Sequence, residues 1–180
     1  IAARVPNSPP GFIVSSSILL PRRLPLVRSE SMALHCDSWC GYPGSLREVL
    51  ACLCAHDARR VVFLSGDEHV SCIATITIEC KALHKRVVAR SIHSSALYAP
   101  YPFANSRAAD FASRDEFEFD QIDCTTRVSH TYKCTVGTCF PPVGDGFAVL
   151  SARQSGRAWH LDVAYDAGGI ATTPFTLHLH

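Results

Sequence analysis

The spacing of hydrophobic residues predicts one amphipathic helix in the first third of the chain. Apolar residues at i, i+3, i+4 and i+7 form a single stripe, which consists of Leu46, Val49, Leu50 and Leu53. Ser45 precedes this stripe, and Glu48 follows three residues later, which is the spacing of a capping box. The pattern therefore predicts a helix that begins near Ser45 and buries one face.

Short apolar runs before and after this helix predict strands. Residues 61–64 are continuously apolar, as expected for a strand that is covered on both faces in a parallel or mixed sheet. Residues 72–79 and 86–95 are rich in β-branched residues and predict two further strands. The apolar stretch 11–20 predicts an earlier, buried strand. This first part of the chain, residues 1–110, is predicted to be α/β.

From residue 111 onward the pattern changes to short alternating segments separated by turn signals. The four segments with this alternation are residues 116–122, 127–136, 146–154 and 158–166. Alternation of this kind is typical of antiparallel strands with one buried face. We therefore predict a single domain over residues 1–180, with a mixed sheet flanked by helix and an antiparallel β part over residues 111–180.

Composition limits the class of protein. The chain has 180 residues, of which 47% are apolar and 18% are charged, and this balance suits one globular domain. The 17 Lys and Arg residues nearly equal the 16 Asp and Glu residues, which gives no broad positive field for nucleic acid. The stretch 11–20 is too short for a membrane span, which needs roughly 20 apolar residues, and it lacks the flanks of a secretory signal. The compartment is not determined by these residues.

Cysteine usage favours free thiols. The nine cysteines are odd in number, and several, including Cys54, Cys72 and Cys80, lie within apolar segments where buried thiols are expected. No Cys-x-x-Cys pair occurs, so a structural zinc site is disfavoured.

A polar turn follows the predicted strand 61–64. Gly66 permits a tight turn, after which Asp67 and His69 are two positions apart and can point toward one location. A carboxylate with an imidazole suits Fe, Zn or Mn, and the carboxylate also suits Ca or Mg. The alternative is a polar connection between two strands without a ligand, because Asp is a common turn residue.

Three segments in order resemble one family. The segment "SGDEHVS" at 65–71 resembles the Gly-Asp-x-His segment of the PhoD-like alkaline phosphatase and phosphodiesterase family of the metallophosphoesterase superfamily. The segment "DSWCGYPGSLREVL" at 37–50 is similar to that family's Asp-x-Trp-x-Gly-Tyr-Pro segment. The segment "SIHSSALYAPYPFAN" at 91–105 is similar to its segment with two serines.

This resemblance implies a fold and a metal site. The expected fold is the C-terminal half of an α/β/β/α sandwich, with two divalent or trivalent metal ions bound between the halves of the full-length protein. His69 would be a metal ligand, and Asp67 would replace the first His of the commoner Gly-His-x-His motif. Glu68 would tune the site or, as we favour, face solvent. Residues expected to border the site are Asp37, Trp39, Tyr42, Ser94 and Ser95.

The implied activity is hydrolysis of small-molecule phosphate esters by a metal-activated water, without a protein nucleophile. Residues 1–36 lack the family's upstream motifs, so we expect a fragment or a decayed copy with little activity alone. The alternative is a noncatalytic module derived from such an enzyme. Serine hydrolysis by Ser94 or Ser95 with His93 is disfavoured, because no nucleophile elbow surrounds them.

Overall fold

The described part of the chain is mostly β-sheet with one α-helix. The computed structural model describes residues 9–24, 38–66, 68–97, 107–123, 126–141, 144–167 and 169–179. The helix is α1 (Pro43–Ala55), and short 3-10 helices cover Trp39–Gly41 and Ala108–Asp110. In the first half of the chain the strands are β1 (Gly11–Val14), β2 (Val61–Ser65), β3 (Cys72–Cys80) and β4 (Lys85–His93). The later strands are β5 (Arg114–Ile122), β6 (Ser129–Cys139), β7 (Phe147–Ser155), β8 (Ala158–Ala167), β9 (Ile170–Ala171) and β10 (Phe175–Leu179).

These strands form two sheets. The larger sheet has the order β1-β2-β4-β3-β6-β5, in which β1, β2 and β4 are parallel and the other pairs are antiparallel. The smaller sheet has the antiparallel order β10-β8-β7, with β9 paired to the end of β8. The predicted mixed sheet flanked by helix is confirmed, as is antiparallel pairing after residue 111. Strands β5 and β6 nevertheless extend the larger sheet, which sequence alternation alone does not reveal.

The core has three layers: helix, large sheet, small sheet. On one face of the large sheet, Leu50 and Leu53 of α1 pack in a buried cluster that includes Val61 and Phe63 of β2. On the opposite face, Val62 packs in a second cluster with residues of β8, including Leu161 and Val163. Successive side chains of a strand point to opposite faces, so a strand covered on both sides needs an unbroken apolar run. This arrangement confirms the interpretation of residues 61–64.

Helix α1 has the predicted buried stripe but a different start. Leu46, Leu50 and Leu53 are buried. The residue at the N-cap is Tyr42, and no side-chain cap bond forms, so the predicted capping box of Ser45 and Glu48 is wrong. Pro43 occupies the first helical position, where its fixed φ and missing N–H are well tolerated, and the helix therefore begins before Ser45.

The prediction of a buried strand over residues 11–20 is wrong in extent and in burial. Only Gly11–Val14 pair with β2, and this edge strand leaves Val14 78% exposed. The Ser15 hydroxyl donates to the backbone carbonyl of Ser17 at 2.9 Å, a local bond of the kind that competes with a sheet ladder. Burial instead falls on residues 18–20, which lie outside the strand.

Within the described ranges, no helix combines the length and hydropathy that crossing a bilayer requires.

Candidate functional site

The parallel strands bring two sequence segments to one edge of the large sheet. In register, Val14 pairs with Leu64, and Leu64 pairs with Ile92. Beyond those pairs, the Ser15 N–H donates to the Leu64 carbonyl at 2.9 Å, and the Ser94 N–H donates to the Ser65 carbonyl at 3.1 Å. The carboxyl ends of β1, β2 and β4 therefore meet here, as is common for ligand sites in sheets with parallel strands.

His93, at the end of β4, is the most enclosed polar residue of this edge. Its side chain is 0% exposed, and its Nδ1 lies 2.8 Å from the Ser65 hydroxyl oxygen. The backbone N–H of Glu68 donates to its Nε2 at 3.3 Å. Because Nε2 accepts a hydrogen bond, the neutral ring carries its proton on Nδ1 and donates it to Ser65. His93 thus ties the turn after β2 to the end of β4.

Burial lowers the pKa of His93 to about 4, with a smaller opposing effect from the Glu68 carboxylate and a small further lowering by His69. His93 is therefore neutral at pH 7. From the sequence, the only role considered for His93 was that of a base for a neighbouring serine. The sequence signal that could have indicated its position is that His93 lies near the end of a predicted strand, residues 86–95.

This buried neutral His93 predicts a specific acid sensitivity. The unfolded chain takes up a proton on His93 near pH 6.5, whereas the folded chain does so only near pH 4. Stability is therefore lost as the pH falls from about 6.5 to about 4. We expect wild-type protein to lose about 3 kcal/mol more unfolding free energy over this window than the His93→Gln variant. Urea unfolding at a series of pH values measures this difference, and parallel profiles for the two proteins would contradict the assignment.

Glu68 is engaged rather than solvent-facing, so the favoured interpretation of its side chain is wrong. Its carboxylate forms an ion pair with the Arg23 guanidinium, and its side chain is only 14% exposed. The same guanidinium lies over the ring of Phe111, 5.0 Å from the ring centre. Arg23 reaches this position because it forms a β-bridge with Phe111. The ion pair anchors the turn that follows β2.

His69 lies in this turn with an uncommon backbone conformation. It is half-buried and has a φ of 52°, in the left-handed region that a residue with a side chain rarely adopts. Such conformations cluster at functional sites, where the surrounding structure holds them. The second predicted ligand, Asp67, and the bordering residue Asp37 lie outside the described residues.

The structure places one of the two bordering aromatic residues at this edge. The Trp39 indole N–H donates to the Ser15 hydroxyl oxygen at 3.0 Å, which brings the segment before α1 to the end of β1. Tyr42 occupies the N-cap of α1 and is 61% exposed, so it contributes to the surface of that helix end.

Ser94 and Ser95, which were predicted to border the site, form hydrogen bonds that involve their backbone groups. The Ser94 hydroxyl donates to the Ser95 carbonyl at 3.3 Å, and the Ser95 N–H donates to the Ser71 hydroxyl oxygen at 3.2 Å. The Ser95 hydroxyl is buried and makes no hydrogen bond within the described structure. His93 uses both ring nitrogens elsewhere, so it does not activate either serine. This geometry agrees with the rejection of serine hydrolysis.

The described residues do not form a complete metal site by themselves. Across the described ranges, no group of three His, Cys, Asp or Glu side chains is close enough to hold a metal ion. A catalytic zinc ion typically has three protein ligands, and His69 supplies one imidazole of the required type. The donor chemistry of His69, with Asp67 two residues before it, fits a first-row transition metal as part of a shared site.

Comparisons with known proteins add no family assignment. Searches against family models, curated proteins and solved structures found no significant match to this chain.

Proposed function

We propose that this chain is the C-terminal half of a PhoD-like metallophosphoesterase, which hydrolyses phosphate monoesters or diesters, and that His69 and Asp67 are its contribution to a two-metal site. One observation carries this proposal. Two of the three segments of the resemblance contact each other at the carboxyl edge of the parallel strands, through His93 with Ser65 and Glu68, and the third reaches the end of the neighbouring strand β1 through the bond from Trp39 to Ser15.

The layers of the fold support the same proposal. A helix on one face of the large sheet and a second sheet on the other give the order helix, sheet, sheet. This order is consistent with three consecutive layers of the α/β/β/α sandwich that the resemblance implies. Ligands of such sheets gather at the carboxyl ends of parallel strands, which is where His69 lies.

The chemistry requires little from the protein beyond holding the metals. When bound, paired ions supply positive charge to the phosphoryl group and activate the attacking water. The described residues of this edge hold their own positions: Glu68 through Arg23, and His93 through Ser65. A fixed second layer of this kind orients the ligands that reach a metal.

The test is hydrolysis of 4-nitrophenyl phosphate and bis(4-nitrophenyl) phosphate by the longest protein whose reading frame contains this chain. We expect turnover that a chelator removes and that added divalent or trivalent metal restores. The 180-residue chain by itself is expected to show little or no turnover, because a site with part of its ligands binds metal poorly. Chelator-resistant turnover, or full turnover by the 180 residues alone, would overturn the proposal.

A noncatalytic module is the second candidate. The observation in its favour is that Trp39, Glu68 and His93 each have an intramolecular partner, as a purely structural edge requires. The upstream reading frame discriminates between the two candidates. An early Asp, a Gly-Asp segment and an Asn-containing segment upstream favour the enzyme, whereas a start codon at Ile1 favours the module.

A further inference from the structure

A basic cavity lies at the amino ends of the parallel strands, opposite the candidate metal site. It has a volume of about 240 Å³. The basic side chains that line it are Arg59, Arg60, Arg86, Arg90 and His178. Arg60 immediately precedes β2, and Gly66 immediately follows it, so the two ends of this strand are roughly 17 Å apart. The cavity is therefore separate from the edge that carries His69.

Arginine side chains dominate the charged lining of the cavity. Arg59 pairs with Asp57 at 3.0 Å, and Arg86 pairs with Glu79 at 2.8 Å, each through its Nε. Both pairs are exposed to solvent, where an ion pair contributes little and leaves the guanidinium available to a stronger partner. The lining thus combines four guanidinium groups, two of which are in these exposed ion pairs.

Arg90 of β4 lines the cavity, and its hydrogen-bond donors are only partly satisfied. Its Nη1 and Nη2 reach the carbonyls of Ala89 and His178 only at 3.5 Å, the outer limit of a hydrogen bond. Its Nε is buried and has no hydrogen-bond partner among the described residues. Burial also lowers the pKa of the guanidinium, which reflects its loss of hydration. A buried donor without a partner is unfavourable, so the hydrogen-bonding capacity of Arg90 is not fully used in this wall of the cavity.

We propose that this cavity binds a compact phosphorylated small molecule with two or more negative charges. Guanidinium groups bind phosphate through parallel N–H···O bonds, and several of them converge here. The cavity volume of about 240 Å³ leaves room for a pyrophosphate-sized group. The net charge of the whole chain is +1, so the positive field is local and does not extend along a polymer.

The test is calorimetric titration of the 180-residue chain, stripped of metal on a chelating resin, with inorganic pyrophosphate in metal-free buffer, so that bound metal plays no part. We expect binding that weakens as salt concentration rises. The double variant Arg59→Gln/Arg86→Gln changes only exposed side chains of the cavity and is expected to bind roughly tenfold more weakly or worse. Sulfate is expected to bind more weakly than pyrophosphate, because it carries less charge.

The matched control is Arg114→Gln/Arg127→Gln, which removes the same number of charges from exposed positions in β5, the far edge strand of the large sheet, and in the turn between β5 and β6. It is expected to keep wild-type affinity. Absence of pyrophosphate binding, or equal loss in both double variants, would overturn the site, and sulfate binding as tight as that of pyrophosphate would overturn the ligand class. Sedimentation with phosphatidic acid vesicles that is lost in the Arg59→Gln/Arg86→Gln variant would overturn a soluble ligand in favour of a lipid headgroup.

Discussion

Replacing His69 with alanine is expected to abolish 4-nitrophenyl phosphate hydrolysis by the longest protein that contains this chain, and to lower its metal content. The reason is that His69 is the proposed metal-binding imidazole at the carboxyl edge of the parallel strands, in a turn held by Glu68 and Arg23. Metal ions contribute several kcal/mol of charge stabilisation to phosphoryl transfer, so loss of a ligand is expected to reduce turnover roughly a thousandfold or more. Turnover and metal analysis of the purified variant provide the measurement.

His84→Ala is a matched control for this variant. His84 lies in the turn between β3 and β4, is exposed, and has the same φ of 52° as His69. Alanine at either position therefore carries similar backbone strain, and only the His69 substitution alters the candidate site. We expect His84→Ala to retain turnover and bound metal. Wild-type turnover and metal content in His69→Ala would refute the ligand assignment.

Replacing Leu50 with alanine is expected to lower the free energy of unfolding by about 2–5 kcal/mol. Leu50 is 0% exposed and lies in the cluster between α1 and the large sheet. Alanine has the best helix propensity, so the loss measures the cavity left against the sheet rather than a weaker helix. Urea unfolding of the 180-residue chain at neutral pH provides the measurement.

Leu97→Ala is the control, because Leu97 is 74% exposed at the end of the segment after β4. Its effect is expected to stay within about 0.5 kcal/mol. A Leu50→Ala variant that is as stable as Leu97→Ala would show that α1 does not contribute to the cooperative core.

The local hydrophobic pattern was sufficient to predict the elements whose faces are buried by packing. The stripe of α1 and the apolar run of β2 were both predicted, because burial on one helix face or on both strand faces imposes a visible period. The helix start was missed because Pro43 can occupy the first helical position without a side-chain cap. The extent of β1 was missed because apolar residues at a sheet edge pair on one side only and remain exposed.

The candidate site was predicted only in part, because its contacts depend on strand order. The turn at Gly66 to His69 was visible in sequence as a polar interruption after an apolar run. The sequence did not show that β4 lies between β2 and β3 in the sheet. This position of β4 places His93 against Ser65 and Glu68. The ion pair between Glu68 and Arg23 joins residues 45 positions apart, which no local pattern encodes.

The sequence by itself determined the helix stripe, the doubly buried strand and the polar turn with its His69, because each follows from the period or chemistry of adjacent residues. Only the tertiary structure decided that β5 and β6 extend the same sheet, that His93 is buried and neutral, and that arginines converge at the opposite edge. Those features arise from pairing between distant segments, where burial and charge depend on which strands become neighbours.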